Sequence, residues 1–364
     1  MTSTTDAIPS RPGDSDDSRP GDSDTYGELR AQLATLTTEA FRPELSEIDR
    51  LPTAEIARIM NAEDATVPAA VAEQLPRIAA AIDGTAERMA RGGRLIYAGA
   101  GTAGRLGVLD ASECPPTFNT DPSEVVGLIA GGPSAMVTAV EGAEDSKELA
   151  AEDLDALKLT ADDVVVGISA SGRTPYAIGA VEHARERCGA LTIGLSCNAD
   201  SALAAAADHG IEVVVGPELL TGSTRLKAGT AQKLVLNMLS TITMIRLGKT
   251  YGNLMVDVRA SNEKLRARSR RIVALATGAG DDEIEAALAA TDGEVKNAIL
   301  TILGQVEGPA AAELLAASDG HLRVALDRHR GERAHTEDGL ETTTHTENTP
   351  RTTTNHTEDT PRTT

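Results

Sequence analysis

Large aromatic side chains are almost absent from this 364-residue sequence. Phe, Trp and Tyr together make up 2% of the residues, and there is no Trp. Because stacking on aromatic rings is a principal attraction in single-stranded nucleic-acid binding, this composition argues against a nucleic-acid partner. Hydrophobic residues still amount to 41%, so we expect a core filled with Ala, Val, Leu and Ile.

Cysteine and long apolar stretches are also scarce. The three cysteines, Cys114, Cys188 and Cys197, form no CxxC pair and cannot all be joined in disulfides, which is typical of a reducing compartment. No window approaches the roughly 18 apolar residues that a membrane span needs, and the first residues contain no apolar signal segment. We therefore predict a cytoplasmic protein without a membrane partner.

Positive charge is in deficit. The sequence has 34 Lys and Arg against 55 Asp and Glu, which gives a formal net charge of −21. A field of this sign repels nucleic-acid phosphates and anionic membranes. A small anion can still bind where backbone N–H groups and one or two cations are concentrated locally. A ligand site is therefore expected in the loops.

Both ends of the sequence are polar and repetitive. SRPGDSD occurs twice within residues 10–24, and the last twenty residues repeat HTENTPRTT as HTEDTPRTT. Segments of this composition cannot bury enough apolar area to fold. We therefore predict disordered tails over residues 1–42 and 333–364.

Between the tails, short apolar runs alternate with helical patterns, which predicts a parallel sheet with crossover helices. The predicted strands are Arg94–Gly99, Val125–Ala130, Asp163–Ser169, Leu191–Ser196 and Ile211–Val215. Nearly continuous apolar strands are typical of a doubly wound α/β sheet of the flavodoxin-like or Rossmann-like class. Long helices are expected near Ala228–Gly248 and Asn253–Ala276, followed by a compact helical segment over Asp281–Arg328. We place the α/β domain at 43–278 and a small helical domain at 279–332.

The first predicted strand runs into a glycine loop, Gly99-Ala-Gly-Thr-Ala-Gly-Arg105. The loop fits the GxGxxG pattern between a strand and a helix, which dinucleotide-binding proteins use for a pyrophosphate. A dinucleotide site also needs an Asp or Glu at the end of the second strand, whereas this strand ends in Ala130-Gly-Gly-Pro133. A phosphate or sugar loop is therefore favoured, and a purely structural tight turn stays an open alternative.

The third predicted strand leads into Ser169-Ala-Ser-Gly-Arg-Thr-Pro175. Three hydroxyls and several backbone donors gather there around the expected start of a helix. A phosphate dianion is held by N–H groups, hydroxyls and the positive end of a helix together, so this segment is a candidate phosphate cradle. The alternative is an ordinary Ser/Thr helix cap that is followed by proline.

Two acidic residues follow other strands. Glu113 lies in DASECPP, where the double proline is expected to break the helix and leave the carboxylate at an irregular corner. Glu144 lies in EGAED, beyond the second strand. Taken alone, each is most often a solvated surface acid. A phosphate dianion, however, raises the pKa of a neighbouring carboxyl by like-charge repulsion, which suits such a group to proton transfer near neutral pH.

A basic segment, Thr221-Gly-Ser-Thr-Arg-Leu-Lys-Ala-Gly-Thr230, opens the long helix after the fifth predicted strand. It supplies local cations that the acidic surface lacks. Cations at a helix N-terminus oppose the helix dipole, so an anionic ligand or a carboxylate partner is expected there. A ligand site and a purely structural helix start are both open.

These features occur in sequence blocks that follow one order: LIYAGAGTAGRLGVLDASECPPTF, VVGLIAGG, VEGAEDS, DVVVGISASGRTPY, TGSTRLKAGTAQKLVLNMLST and YGNLMVDV. The blocks strongly resemble the N-acetylmuramic acid 6-phosphate etherase family over about residues 43–330. The resemblance implies a sugar isomerase (SIS) domain, a homodimer, and neither a redox cofactor nor a metal. It also implies a sugar-phosphate substrate from amino-sugar and peptidoglycan recycling, cleaved at its D-lactyl ether to N-acetylglucosamine 6-phosphate and D-lactate.

The matching motif positions imply roles for individual residues. Glu113 resembles the family's catalytic proton donor and Glu144 its second active-site acid, so we assign Glu113 the main acid–base role and Glu144 a supporting one. Many members carry Ser where this chain has Ala103, so one hydroxyl is missing from the first loop. The predicted substrate- and phosphate-binding residues are Gly101, Thr102, Ser169, Ser171, Gly172, Thr174, Ser223 and Lys227.

The expected chemistry follows from the bond that breaks. Opening of the sugar ring exposes a C1 aldehyde that acidifies the C2 proton, so a carboxylate can remove this proton while an acid protonates the departing lactate oxygen. Water then adds at C3. One rival function is a non-catalytic regulator of the glucokinase regulatory protein type, although this chain has residues for one SIS domain and not for a tandem. The other is an aldose–ketose isomerase, which uses the same C1–C2 chemistry without expelling lactate.

Overall fold

The structure, a computed structural model, describes residue 33, residues 35–258 and residues 263–343. The chain divides into two compact units. The first holds the residues up to 112 together with 122–240, and the second holds 113–121 and the residues from 241 onward. Most of the predicted disordered tails, residues 1–32 and 344–364, lies outside the described residues.

The first unit is built on the five-stranded parallel sheet that the sequence predicts. Its strands are β1 (Leu95–Gly99), β2 (Val125–Ile129), β3 (Val164–Ile168), β4 (Leu191–Ser196) and β5 (His209–Glu212). Their order is β2-β1-β3-β4-β5, and all neighbouring pairs are parallel. This is the flavodoxin-like doubly wound order, so the predicted fold class is confirmed. Strand β5 begins two residues earlier than predicted and ends at Glu212.

Helices precede, connect and follow these strands. They are α1 (Thr53–Asp64), α2 (Val67–Glu73), α3 (Leu75–Ala90), α4 (Gly101–Phe118), α5 (Lys147–Ala156), α6 (Pro175–Cys188), α7 (Ala202–Ala206) and α8 (Lys227–Arg246). Helix α6 shows why such segments are helical: Tyr176, Ala180 and Ala184, spaced four residues apart, are all buried in one core cluster. Gly189 ends this helix because it adopts a left-handed φ of 72°.

The carboxyl ends of β1 and β3 are neighbours, since Gly99 pairs in register with Ile168. The glycine loop after β1 therefore lies beside the loop after β3. Gly104 permits the close packing of α4 on the strand ends, because a Cβ there would lie 2.5 Å from the Gly99 carbonyl oxygen and 2.7 Å from Ile129 Cγ1. This is the packing role that the third glycine of a GxGxxG loop has.

Helix α4 continues through Pro115 and Pro116, whereas the sequence analysis predicts a break at the double proline. The two prolines lack the N–H groups that an uninterrupted helix would use. Burial holds the last turn in place, because Cys114 and Phe118, four residues apart on one face, are only 2% and 6% exposed. Glu113 therefore stands on a helix and not at an irregular corner, and it is exposed.

The second unit contains a short antiparallel hairpin and a group of helices. Its elements are β6 (Thr250–Tyr251), β7 (Leu254–Met255), α9 (Glu263–Thr277), α10 (Asp281–Ala290), α11 (Val295–Gly304), α12 (Gly308–Ala316) and α13 (Leu322–Thr343). The helix predicted from Asn253 is wrong over its first residues, because Gly252, with a φ of 57°, turns the hairpin there. Helix α13 also extends past residue 333, the predicted start of the C-terminal tail.

The helical unit is larger than the predicted domain at 279–332. Ile272 and Val273 of α9 are buried in the same apolar cluster as Ile284 and Ile299. Because α9 shares its core with the later helices, the unit includes the residues from Thr241 onward. Within the described ranges no single helix has the length and hydropathy of a membrane span, although α11 and α12, bent by 106°, reach them as a pair.

The segment before α1 is ordered over part of the predicted N-terminal tail. Thr37–Glu39 forms a 3-10 turn, and Leu36 and Thr38 are buried. Asn198, which follows β4, holds this turn: its Oδ1 accepts hydrogen bonds from Thr37 N–H (2.8 Å) and Thr37 Oγ1 (2.9 Å), and its Nδ2 donates to Thr38 Oγ1 (3.1 Å). A polar segment is thus ordered by side-chain hydrogen bonds that composition does not reveal.

Candidate active site

A cavity of 410 Å³ lies at the carboxyl ends of β1 and β3, within the first unit. Its wall combines the start of α4, the loop after β3, the 3-10 turn Ala143–Asp145 and part of the segment before α1. In open α/β sheets this is the edge where ligands bind. Six of the ten predicted site residues line the cavity, namely Gly101, Thr102, Glu144, Ser169, Ser171 and Thr174.

The three predicted hydroxyls form one hydrogen-bonded group. Ser169 Oγ lies 2.8 Å from Thr174 Oγ1 and 3.2 Å from Ser171 Oγ. The backbone N–H of Gly172 donates to Ser169 Oγ (3.0 Å), and that of Arg173 donates to Ser171 Oγ (3.2 Å). Thr174 precedes α6 but makes no side-chain cap hydrogen bond, so the reading of this segment as an ordinary helix cap fails. The group can offer its hydroxyls and the helix start to an anion.

Gly172 shapes this loop and does not line the cavity. Its φ is 68°, and a Cβ at this position would lie 2.4 Å from Ser201 Cβ. Any side chain would therefore displace the loop that carries the hydroxyls. The predicted binding role of Gly172 becomes a positioning role.

The glycine loop after β1 contributes backbone more than side chains. Gly101 has a φ of 54°, Thr102 is partly exposed, and Ala103 lines the cavity without a polar group. Arg105, the last residue of the predicted loop, donates from Nε to the Met136 carbonyl (2.9 Å) and from Nη2 to the Ala135 carbonyl (2.8 Å). Arg105 thus fixes the segment after β2.

The two predicted acids are placed differently. Glu144 is exposed and lines the cavity together with Asp145. Glu113 belongs to the second unit and is not among the residues that line this cavity. The geometry of the first unit therefore brings one of the two acids, Glu144, together with the hydroxyl group.

Lys227, predicted to bind phosphate, is buried and paired inside the protein. Its Nζ lies 2.8 Å from Glu63 Oε2. The fully buried Glu218 accepts hydrogen bonds from the backbone N–H groups of Lys227 and Ala228, both at 2.9 Å. The start of α8 thus has an internal carboxylate partner, which satisfies the helix dipole without a ligand.

Glu63, the partner of Lys227, and Ser223 complete the description of this helix start. Burial by itself would raise the pKa of Glu63, but hydrogen bonds from Lys227 and Arg42 outweigh it and lower the pKa, so the carboxylate stays charged. Ser223, also predicted to bind the ligand, does not line the cavity, whereas its neighbour Thr224 does. The contacts of this helix start are therefore those of the structural alternative.

Several lining residues escape the sequence analysis. Arg173 and Asp145 are direct neighbours of predicted residues, so a wider reading of the two motifs would have included them. Leu36 and Glu39 fall in a segment that was predicted to be disordered. Gln232 of α8 also lines the cavity; it lies in the block TGSTRLKAGTAQKLVLNMLST, but nothing local in that block distinguishes it from its neighbours.

The wall is rich in carboxylates. Glu39, Glu144 and Asp145 line it together with one guanidinium, that of Arg173, whose Nη2 also donates to Thr35 Oγ1 (3.2 Å). Hydroxyls that can hold an anion thus lie in one cavity with carboxylates that can move a proton. In the part of the chain that the structure describes, no group of three or more His, Cys, Asp or Glu is arranged to hold a metal ion.

A sheet of this order with a hydroxyl loop after β3 is the architecture of a sugar isomerase (SIS) domain. The SIS family model matches residues 144–242. The model of the glucokinase regulatory protein N-terminal SIS domain matches residues 77–185. A solved phosphoheptose isomerase from Francisella tularensis has a TM-score of 0.42 and 19% identity over 54% of this chain and 100% of its own. Over 301 residues the chain is 87% identical to the N-acetylmuramic acid 6-phosphate etherase of Streptomyces avermitilis, which covers 83% of this chain and 96% of the relative. The etherase of Rubrobacter xylanophilus is 61% identical over 299 residues, or 82% and 98% of the two chains. The chain belongs to the N-acetylmuramic acid 6-phosphate etherase family, and the resemblance is confirmed.

Proposed function

We propose that this chain is a carbon–oxygen lyase that cleaves the D-lactyl ether of N-acetylmuramic acid 6-phosphate. The products are N-acetylglucosamine 6-phosphate and D-lactate. The observation that carries the proposal is the presence of the Ser169–Thr174 hydroxyl group and Glu144 in one cavity. Membership of the etherase family supports the choice of substrate.

The phosphate is bound by the hydroxyls of Ser169, Ser171 and Thr174. These hydroxyls stand at the start of α6, where the helix dipole favours a dianion. The backbone of Gly101 and Thr102, in the same cavity wall, adds N–H donors from the neighbouring loop. Arg173 brings a positive charge to a wall that is otherwise acidic.

The reaction is an elimination followed by an addition. With the ring open, a carboxylate removes the C2 proton, the C2–H electrons form the C2=C3 double bond, and the C3–O bond breaks with its electrons on the lactate oxygen. A protonated carboxyl neutralises this oxygen. Water then adds its oxygen to C3, and a proton returns to C2. The net reaction consumes one water and releases one lactate.

Glu113 and Glu144 are the two acids of this scheme. Glu113 keeps the main acid–base role on the strength of the family motif DASECPP. Glu144 has the supporting role, for which its position in the cavity is the argument. Glu113→Gln and Glu144→Gln separate the two roles. If Glu113→Gln releases lactate at the wild-type rate and Glu144→Gln does not, the assignment is reversed.

The reaction is tested with purified protein, N-acetylmuramic acid 6-phosphate and an enzymatic assay for D-lactate. In H₂¹⁸O, the label is expected in N-acetylglucosamine 6-phosphate and not in lactate, because the bond breaks on the sugar side of the ether oxygen. Label in lactate would refute the elimination. Binding of the substrate without release of lactate would favour a regulator of the glucokinase regulatory protein type, and a ketose product would favour an isomerase.

We further propose that the protein acts as a cytoplasmic homodimer in amino-sugar and peptidoglycan recycling. The single SIS domain, with the long helix α8 after its fifth strand, supports a dimer. Light scattering coupled to size-exclusion chromatography should give twice the chain mass of 37.8 kDa. A monomer that has full activity would refute this assembly.

A further inference from the structure

One polar group in the cavity has no role in the scheme above. Gln232 of α8 lines the cavity and is 1% exposed. Among the described residues its Nε2 is fully buried and has no hydrogen-bond partner. A buried amide in this state has lost its hydration without replacing it, which is costly and therefore rare in proteins.

The surroundings on α8 cannot satisfy this amide. The residues one turn before and after Gln232 are Ala228, Gly229, Val235 and Leu236, and none has a polar side chain. The carbonyl groups in the middle of a helix are already engaged in the helix's own hydrogen bonds. Because Gln232 belongs to the cavity wall, a molecule bound in the cavity is the candidate partner for its Nε2.

Gln232 approaches the cavity from a different element than the phosphate cradle does. The first turns of α8 lie against the loop after β1, since a Cβ on Gly229 would be 3.4 Å from Thr102 Cγ2. The cradle, by contrast, is formed by the loop after β3 and the start of α6. Gln232 thus reaches the cavity wall from helix α8, whereas the three hydroxyls reach it from the loop after β3.

The chemistry of the amide indicates what it binds. A phosphate dianion is matched by hydroxyls, backbone N–H groups and a helix start, all of which the cradle supplies. Because the cradle already supplies these donors to the phosphate, the Gln232 amide is left for an oxygen of the sugar. It also adds a donor without adding charge to a wall that already carries Glu39, Glu144 and Asp145.

We propose that Gln232 is a substrate-binding residue whose Nε2–H donates a hydrogen bond to a hydroxyl or carbonyl oxygen of the sugar. The proposal rests on the proposed function for the class of ligand, a sugar phosphate, but it does not require turnover. A site that holds an unpaired donor discriminates strongly against ligands that lack the matching oxygen. The unliganded protein bears the cost of the unpaired amide.

Gln232→Met tests both halves of this proposal, because methionine has a similar length and no donor. The unliganded variant should melt about 2–4 °C higher than the wild type, since a buried unpaired amide has been removed. Its affinity for N-acetylglucosamine 6-phosphate, measured by titration calorimetry, should fall about tenfold. Its affinity for inorganic phosphate should stay within about twofold, because the cradle is intact.

Ser169→Ala is the matched control, and it should weaken the binding of both ligands. Gln232→Glu is a second variant that keeps the shape and replaces the donor by a carboxylate, in a wall that already carries Glu39, Glu144 and Asp145. At about pH 8 its loss of sugar-phosphate affinity should exceed that of Gln232→Met, and at about pH 5 protonation should restore part of the affinity.

The outcomes separate this proposal from the proposed function. A lower melting temperature with unchanged sugar-phosphate affinity in Gln232→Met would show a purely structural residue and overturn the inference. Equal weakening for inorganic phosphate and sugar phosphate would also overturn it, by placing the amide on the phosphate. If the wild type binds N-acetylglucosamine 6-phosphate, Gln232→Met weakens that binding, and no lactate is released from the substrate, the etherase proposal fails and this inference stands.

Discussion

Removing Glu63 should destabilise the first unit more than removing its partner Lys227. The two side chains form an ion pair at 2.8 Å and are 22% and 5% exposed. Glu63→Met leaves the Lys227 ammonium buried without a carboxylate, which we expect to cost about 3 kcal/mol of unfolding free energy. Lys227→Met costs less, about 1 kcal/mol, because Glu63 keeps its 2.7 Å pair with Arg42.

The double variant makes this asymmetry measurable. Once Glu63 is replaced, the buried ammonium is the main source of the loss, so replacing Lys227 as well should recover about 2 kcal/mol. Urea denaturation followed by circular dichroism gives the three free energies. Equal losses for the two single variants, or strictly additive losses in the double variant, would refute the interpretation of Lys227 as an internally paired residue.

The same variants test whether Lys227 binds phosphate, as the sequence analysis predicts. The structure directs its Nζ to Glu63, so the KM of Lys227→Met for lactate release should stay within about twofold of the wild type. A direct charge-assisted bond to phosphate would instead be worth about tenfold or more in KM. A rise of that size would restore the predicted binding role.

Three further predictions concern the loops and the sheet. Gly104→Ala should lower the unfolding free energy by about 1–3 kcal/mol and raise KM, because its Cβ would lie 2.5 Å from the backbone oxygen of Gly99. Gly331→Ala, whose Cβ would meet nothing within 4 Å, is the stability control. Equal denaturation midpoints for the two variants would contradict the prediction. Asp163 accepts hydrogen bonds from Arg94; burial raises its pKa, but these bonds outweigh burial and lower it. The contribution of Asp163 to stability is therefore present above about pH 4 and lost as the pH falls further. Between about pH 5 and pH 2 the unfolding free energy, measured with urea, should fall more steeply with decreasing pH for the wild type than for Asp163→Asn. Ala103→Ser adds a hydroxyl to the cavity wall and should lower the KM about fivefold, whereas an unchanged KM would show that this hydroxyl does not reach the phosphate.

Prediction from sequence succeeds where local pattern carries the information. The strands and most of the helices are readable because apolar runs and helical periodicity record which residues are buried. The Ser169–Thr174 loop is readable because its three hydroxyls fall within six consecutive residues that follow a strand. Prediction fails at α4, where local rules place a break at Pro115 and burial of Cys114 and Phe118 overrides them.

The sequence alone determined the doubly wound sheet, the loops after β1 and β3 that line the cavity, and the family to which the chain belongs. Each of these is recorded in short, contiguous sequence patterns. The tertiary structure decided which side chains share the cavity. Lys227 pairs with Glu63, which is 164 residues away in sequence, and Thr37 donates hydrogen bonds to Asn198, which is 161 residues away. Gln232 is conspicuous because, within the part of the chain that the structure describes, packing leaves its buried Nε2 without a hydrogen-bond partner beside the cavity. Such pairings depend on distances between elements that are remote along the chain, and no local pattern records them.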